Sequence, residues 1–395
     1  TKESYGVTQL MFNQLTSGTK RYSQSDIVES LEFFGAQFGN RVTHEFSTFS
    51  LSGLTKDIIP TMKMVCHLFD DAVFPKKELK SAKSRLVTGL NSLVGQHSKL
   101  ANRIFRYESL KGSGYESPVS GSIKSIKGIK TKHLIERLNH FNKNVNKRIY
   151  IKGPKDVNTL KSIVTKDCGW TGPIAAIEYA AVENTKENKS IIFVPVPKSN
   201  QAQVRIGRIV SSKEVAAGQA ELKSFAANYI GGGFTSQLIQ VLRVQKGLTY
   251  SAGAYHSEQN AYGRTGISTF TKSETILDLL ESIKQVIELN STKVSPDAFK
   301  YSQRNLKGNY LLGLESTSDF LQNLMLFDHV KIPYTDIYKF DERVEKISIM
   351  DLQNKINNLY NWEKQTVVIL GNKKLIKVLR KSGYKVLVKD YKDYL

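Results

Sequence analysis

Arg243 and Tyr250 are the residues whose types and spacing best suit chemistry on a carbonyl. A guanidinium and a phenol both donate hydrogen bonds. Two donors aimed at one point suit a carbonyl oxygen that gains negative charge as it becomes an oxyanion. The two residues flank a tight turn and can converge there. The alternative at this level is a surface arginine and a half-buried tyrosine with no shared role.

The elements around them are readable. Gly231-Gly232-Gly233 ends one segment, and Thr235 or Ser236 is placed to cap the next. Leu238, Ile239, Val241 and Leu242 give that segment a buried helical face. Gly247 stops it, and Thr249-Tyr250-Ser251-Ala252 leads into a strand. Arg243 therefore sits near a helix end and Tyr250 just before a strand.

Taken together, Gly-Gly-Gly-x-x-Ser-x-Leu, then Leu-Arg, then Lys-Gly-Leu-x-Tyr-Ser resembles the C-terminal half of the insulinase/pitrilysin metallopeptidases. The bacterial and mitochondrial-processing-peptidase branch is the most similar. The resemblance implies that Arg243 and Tyr250 reach across to a zinc site and hold the substrate, with Gly232 and Gly233 also in the substrate-binding turn. One departure is Gln237, where relatives usually carry Arg.

Active members of that family carry His-x-x-Glu-His on an early helix, with two imidazoles for zinc and a glutamate base. The family's flanking glycines correspond here to Gly6 and Gly18-Thr19. Between them, Gln9 and Asn13 stand in place of the histidines and Phe12 in place of the glutamate. The distant third ligand falls near Leu90, where no carboxylate occurs. An amide is a poor zinc ligand and Phe cannot move a proton, so no metal is expected on this chain.

No other cluster replaces the lost site. His133 and His140 lie two helical turns apart, about 10 Å along the axis, which is too far to share an ion. His44 and Glu45 point to opposite strand faces. The glycine run lacks the Gly-Lys-Ser/Thr of a phosphate loop, and no nucleophile elbow is present.

The chain has 395 residues, 40% of them hydrophobic, enough for more than one core. No apolar run approaches the roughly 18 residues of a membrane span. Lys and Arg number 57 against 36 Asp and Glu, a formal charge of +21. That balance favours acidic partners. The cations are dispersed without interleaved aromatics, which argues against nucleic acid. Cys66 and Cys168 are expected to be two buried thiols.

The second half repeats the first. Phe74, Leu79 and Leu86 lie 220 residues before Val294, Phe299 and Leu306. A second register, offset by 218, carries Ile126, Ile129, Leu134, Leu138, Phe141, Ile149, Ile151 and Gly153 onto Val344, Ile347, Leu352, Ile356, Leu359, Val367, Ile369 and Gly371. The expected fold is α+β: two homologous halves, each an antiparallel-rich sheet packed with helices. The divisions are 1–183, a linker at 184–190, and 191–395. The resemblance implies that the first half lacks its opening strands, as in a processed or trimmed chain.

The expected function is the non-zinc subunit of a heterodimeric zinc metallopeptidase. A homologous His-x-x-Glu-His subunit, or a tandem half, would bring the zinc, and Arg243 and Tyr250 would bind the peptide and stabilise the oxyanion. No activity is expected alone. The alternative is an inert scaffold or binding subunit of a larger assembly. The resemblance points to the bacterial periplasm, with cytoplasm or cell envelope as alternatives.

Overall fold

A computed structural model of the chain describes residues 5–153, 156–171, 178–183 and 190–395. It divides into two compact units, Thr1–Ser92 with Ser117–Glu178 and Leu395, and Leu93–Glu116 with Tyr179–Tyr394. In chain order the helices and strands begin with α1 (Val7–Asn13), α2 (Gln24–Phe33), β1 (Gln37–Val42), β2 (Ser47–Ser52), α3 (Ile58–Asp71) and α4 (Lys76–Ser92). Next come α5 (His97–Ser109), α6 (Ile123–Gly128), α7 (Thr131–Asn144) and α8 (Val157–Lys166). Then follow β3 (Ser190–Pro195), β4 (Gln201–Val210), α9 (Ser212–Ala216), α10 (Ala220–Gly231), β5 (Ala252–Glu258) and β6 (Gly263–Lys272). The chain continues with α11 (Ile276–Thr292), α12 (Pro296–Leu312), α13 (Thr317–His329), α14 (Phe340–Glu345) and α15 (Ile349–Tyr360). It closes with β7 (Thr366–Gly371), α16 (Leu375–Lys381) and β8 (Lys385–Val388).

The larger unit is built on a six-stranded mixed sheet of order β5-β6-β4-β7-β3-β8. β4 pairs antiparallel with β6 and β7, and β5 antiparallel with β6. β3 runs parallel to β7 and β8. The alternation in β4 sends Val204 and Ile206 into a core with Phe225, Tyr229 and Ile230 of α10, Leu279 and Ile283 of α11, and Leu352 and Ile356 of α15. Arg205 and Gly207 point to the opposite face, where α5 lies. A Cβ on Gly207 would sit 2.2 Å from the Thr265 carbonyl oxygen and 2.9 Å from Phe105, so only glycine lets α5 approach. Arg205 is buried and clamps α5 by donating to the Ser98 hydroxyl (2.8 Å) and to Asn102. Burial lowers its guanidinium pKa to about 10. Because both faces are covered, β3 reads as the unbroken apolar run Ile191-Ile192-Phe193-Val194.

In the smaller unit, α1, α3 and α7 pack around the antiparallel hairpin β1–β2. Cys66 on α3 and Cys168 just after α8 form a disulfide with a Cα–Cα separation of 4.5 Å. This corrects the expectation of two thiols: packing α8 on α3 brings together residues 102 apart in sequence, which no local spacing signals.

The internal repeat reappears as structure. α4 and α12 begin and end 220 residues apart, as do α5 and α13. α3 and α11, and α7 and α15, begin 218 apart. The compact units nevertheless cut across the division at 184–190, because Leu93–Glu116 belongs with the C-terminal part of the chain. Residues 184–189 lie outside the described residues. Arg148-Ile149-Tyr150-Ile151 reads as a strand in the sequence, yet it is not among the described strands. Ile149 and Ile151 are 44% and 43% exposed, whereas their counterparts Val367 and Ile369 are buried in β7.

Candidate functional site

Residues 232–250 of the larger unit carry the candidate site. α10 ends at Gly231, where a Cβ would lie 2.1 Å from the Ala254 backbone nitrogen of β5. A Cβ on Gly232 would meet the Asn228 side chain at 2.5 Å. Gly233 has open space around it. The first two glycines therefore permit close packing and the third leaves the turn uncovered.

The segment after the turn is a π-helix over Ile239–Gln245. Leu238, Ile239 and Leu242 are buried, as the spacing predicts, while Val241 of the same expected face is half-buried. The expected Thr235 or Ser236 cap is not made: no side chain caps this helix, and the buried Ser236 hydroxyl has no partner among the described residues. The wider π spacing, with the Lys246 amide donating to the Val241 carbonyl, replaces the regular α geometry that a cap would start. Gly247 adopts a left-handed φ of 60° and reverses the chain.

Thr249 and Ser251 fix the backbone on either side of Tyr250. The Thr249 hydroxyl donates to the Ser251 carbonyl, and the Thr269 hydroxyl of β6 donates to the same carbonyl, each at 2.9 Å. The Thr271 hydroxyl holds the Leu248 carbonyl at 2.7 Å. Tyr250 projects from this pinned loop and is 73% exposed.

The geometry brings Arg243 and Tyr250 together. The Arg243 guanidinium carbon lies 4.6 Å from the centroid of the Tyr250 ring. It also lies 5.7 Å from the ring of Phe234, which is 78% exposed on the glycine turn. The cation is thus held by two aromatic faces. Among the described residues Arg243 makes no ion pair, and the Tyr250 hydroxyl makes no hydrogen bond. Both side chains leave donors uncommitted. Phe234 was not singled out from the sequence; its signal is a large apolar residue inside a glycine turn, where no periodicity buries it.

A cleft of about 480 Å³ adjoins the same turn, lined by Gly232, Gly233, Thr235, Ser236 and Gln237 on one side and by α12 on the other. Asn228 fixes its base, accepting from the Ser302 hydroxyl at 2.8 Å and donating to Asn305 at 3.1 Å.

The degenerate zinc positions lie in the smaller unit. Gln9, Phe12 and Asn13 share α1. The Phe12 ring is 3% exposed and packs against Phe49 (4.3 Å), Phe141 (5.4 Å) and Phe69 (6.5 Å). The Gln9 amide donates to Asn13 at 2.9 Å and to Asn40 at 3.3 Å. Leu90 is buried on α4. Aromatic rings fill the place of the base, and the amides bond to one another, so these residues do not suit zinc. His133 and His140 are engaged locally, with the Lys130 amide at 3.2 Å and with Asn144 at 3.4 Å.

No described helix is long and apolar enough to cross a membrane. Residues 139–306 match the family model of the Peptidase M16 inactive domain. The chain is 20% identical to an uncharacterized zinc protease, YmxG, of Bacillus subtilis, over 91% of this chain and 86% of the relative. It is 22% identical to the "Non-peptidase homolog YmxG" of Helicobacter pylori, over 94% of this chain and 86% of the relative. Its fold matches the crystal structure of a peptidase M16 inactive domain from Pseudomonas fluorescens with a TM-score of 0.78, at 20% identity, covering 94% of this chain and 89% of that one. The glycine turn with its Arg and Tyr, the repeated α+β halves and these likenesses agree: residues 139–306 are similar to the Peptidase M16 inactive domain, and the chain shares the fold of such domains.

Proposed function

We propose that this chain is the non-zinc subunit of a two-part metallopeptidase. It binds peptide and supplies Arg243 and Tyr250 to a zinc site held by a homologous His-x-x-Glu-His subunit or tandem half. One observation carries the reading: half-buried Arg243 and exposed Tyr250 stack together with their donors uncommitted, on a pinned turn, while the chain's own zinc positions are filled by Phe12 and paired amides. Tyr250 donates to the scissile carbonyl oxygen as it gains charge. Arg243 binds the peptide backbone beside it, and the open Gly233 lets that backbone approach the turn. Loss of one such donor costs roughly 3–4 kcal/mol at the transition state.

The Cys66–Cys168 disulfide supports an oxidising compartment, and with it the periplasm. A second reading, an inert scaffold, draws support from the non-peptidase name of the Helicobacter pylori relative. Affinity purification of the tagged chain from its native cell, with metal analysis and mass spectrometry, separates the two. Recovery of a His-x-x-Glu-His partner with about one zinc per pair is the expected result. An assembly without zinc or such a partner leaves the scaffold.

A further inference from the structure

We propose that the cleft behind the glycine turn is a subsite for a peptide carboxylate, either an acidic side chain or a free C-terminus. The helix wall of the cleft is one stripe of α12: Asp297, Lys300, Tyr301, Arg304 and Asn305 recur at helical spacing and all line it. Lys300 and Arg304 are exposed, one turn apart, and make no ion pair among the described residues. The one carboxylate, Asp297, lies in the first turn of this 17-residue helix, where the helix N-terminus offsets its charge. Facing them, Ser236 lines the cleft, is 94% buried by its 6% exposure, and carries a hydroxyl with no partner. The amide of Asn228 is already committed to Ser302 and Asn305. Apart from Asp297, the free polar groups that line the cleft are the cations of Lys300 and Arg304, the hydroxyls of Thr235, Ser236 and Tyr301 and the amide of Gln237, a set dominated by donors that suits a carboxylate.

The volume of about 480 Å³ falls within the range of small-ligand sites. Gly232 and Gly233 line the cleft, and Phe234, next in the same turn, stacks on Arg243. A peptide lying along this turn would place a side chain or its end in the cleft. That the ligand is a peptide rests on the function proposed above; that it is anionic rests on the cleft alone.

The test is equilibrium binding to the purified full chain by fluorescence anisotropy. Dye-labelled hexapeptides are compared, an acidic one and a neutral one with Gln and a C-terminal amide; the acidic one is made in two forms, Glu with an amide end and Gln with a free C-terminus, which tell the two carboxylate sources apart. The acidic peptide should bind about tenfold tighter, the sum of two partly solvated charge pairs. Lys300→Gln with Arg304→Gln should abolish the difference while leaving the Kd of the neutral peptide unchanged. Both positions are exposed, so an unchanged melting temperature confirms folding. Succinate should displace the acidic peptide more strongly than inorganic phosphate at equal ionic strength. Equal affinities for the two peptides, an acid preference that survives the double variant, or stronger displacement by phosphate would each overturn the proposal. Absence of binding by both peptides overturns the peptide subsite. A Tyr250→Phe variant that leaves peptidase activity intact, with the acid preference still present, overturns the oxyanion role alone.

Discussion

The Phe12 ring stands 4.3 Å from Phe49 and 5.4 Å from Phe141. A carboxylate there would be buried among aromatic rings. Phe12→Glu, alone or combined with Gln9→His and Asn13→His, should destabilise the smaller unit by about 3 kcal/mol or more. Thermal denaturation checks this; a triple variant as stable as the parent would show that the aromatic cluster is dispensable. Glu214 offers a second test. Burial raises its carboxyl pKa, but the hydrogen bonds from Arg208 and Ser211 outweigh burial and hold it at about 2. A depressed folded pKa means stability that is present above the ordinary carboxylate value and is lost as pH falls from about 4.5 toward 2. Glu214→Gln should cost about 1 kcal/mol at neutral pH, less than the full shift because solvent screens this half-buried carboxyl, and flatten the acid limb of a stability-versus-pH curve. An acid limb identical to the parent's would assign acid unfolding to other groups.

At the scale of elements, the glycine turn depends on how closely α10 approaches β5. Gly231→Ala would push a methyl to 2.1 Å from the Ala254 nitrogen and should cost about 2 kcal/mol or more, whereas Gly233→Ala, in open space, should be nearly neutral. Comparing their urea midpoints checks this, and equal midpoints would contradict it. The elements most legible in the sequence were those with strong alternation or helical spacing. The apolar stretches 191–196, 203–210 and 366–370 read as strands in the sequence and lie in β3, β4 and β7, each within two residues at either end. The turn was legible because glycines and a buried helical face mark it. The π-helix was not, because its wider turn keeps the same residues buried that an α-helix would bury. Phe234 was missed because its contact with Arg243 is set by the turn and not by spacing. The reach of α5 across Gly207 was missed because sequence order places α5 in the first half.

For the whole molecule, the repeat and the family motif were readable over most of the chain, while the covalent link between Cys66 and Cys168 was not. Closing a loop of 102 residues restricts the unfolded chain. Reduction, or Cys168→Ser, should lower stability by about 2–5 kcal/mol. A melting temperature indifferent to reductant would remove the disulfide from the stability of the molecule. The division of labour between this chain and a zinc-bearing partner is tested most directly by peptidase rates of three samples: this chain alone, the reconstituted pair, and the pair carrying Tyr250→Phe. The expected result is activity only in the pair, reduced about a hundredfold or more by Tyr250→Phe while assembly, read by size-exclusion chromatography, persists. An assembled Tyr250→Phe pair that cleaves at the parental rate would contradict it and leave this chain a scaffold.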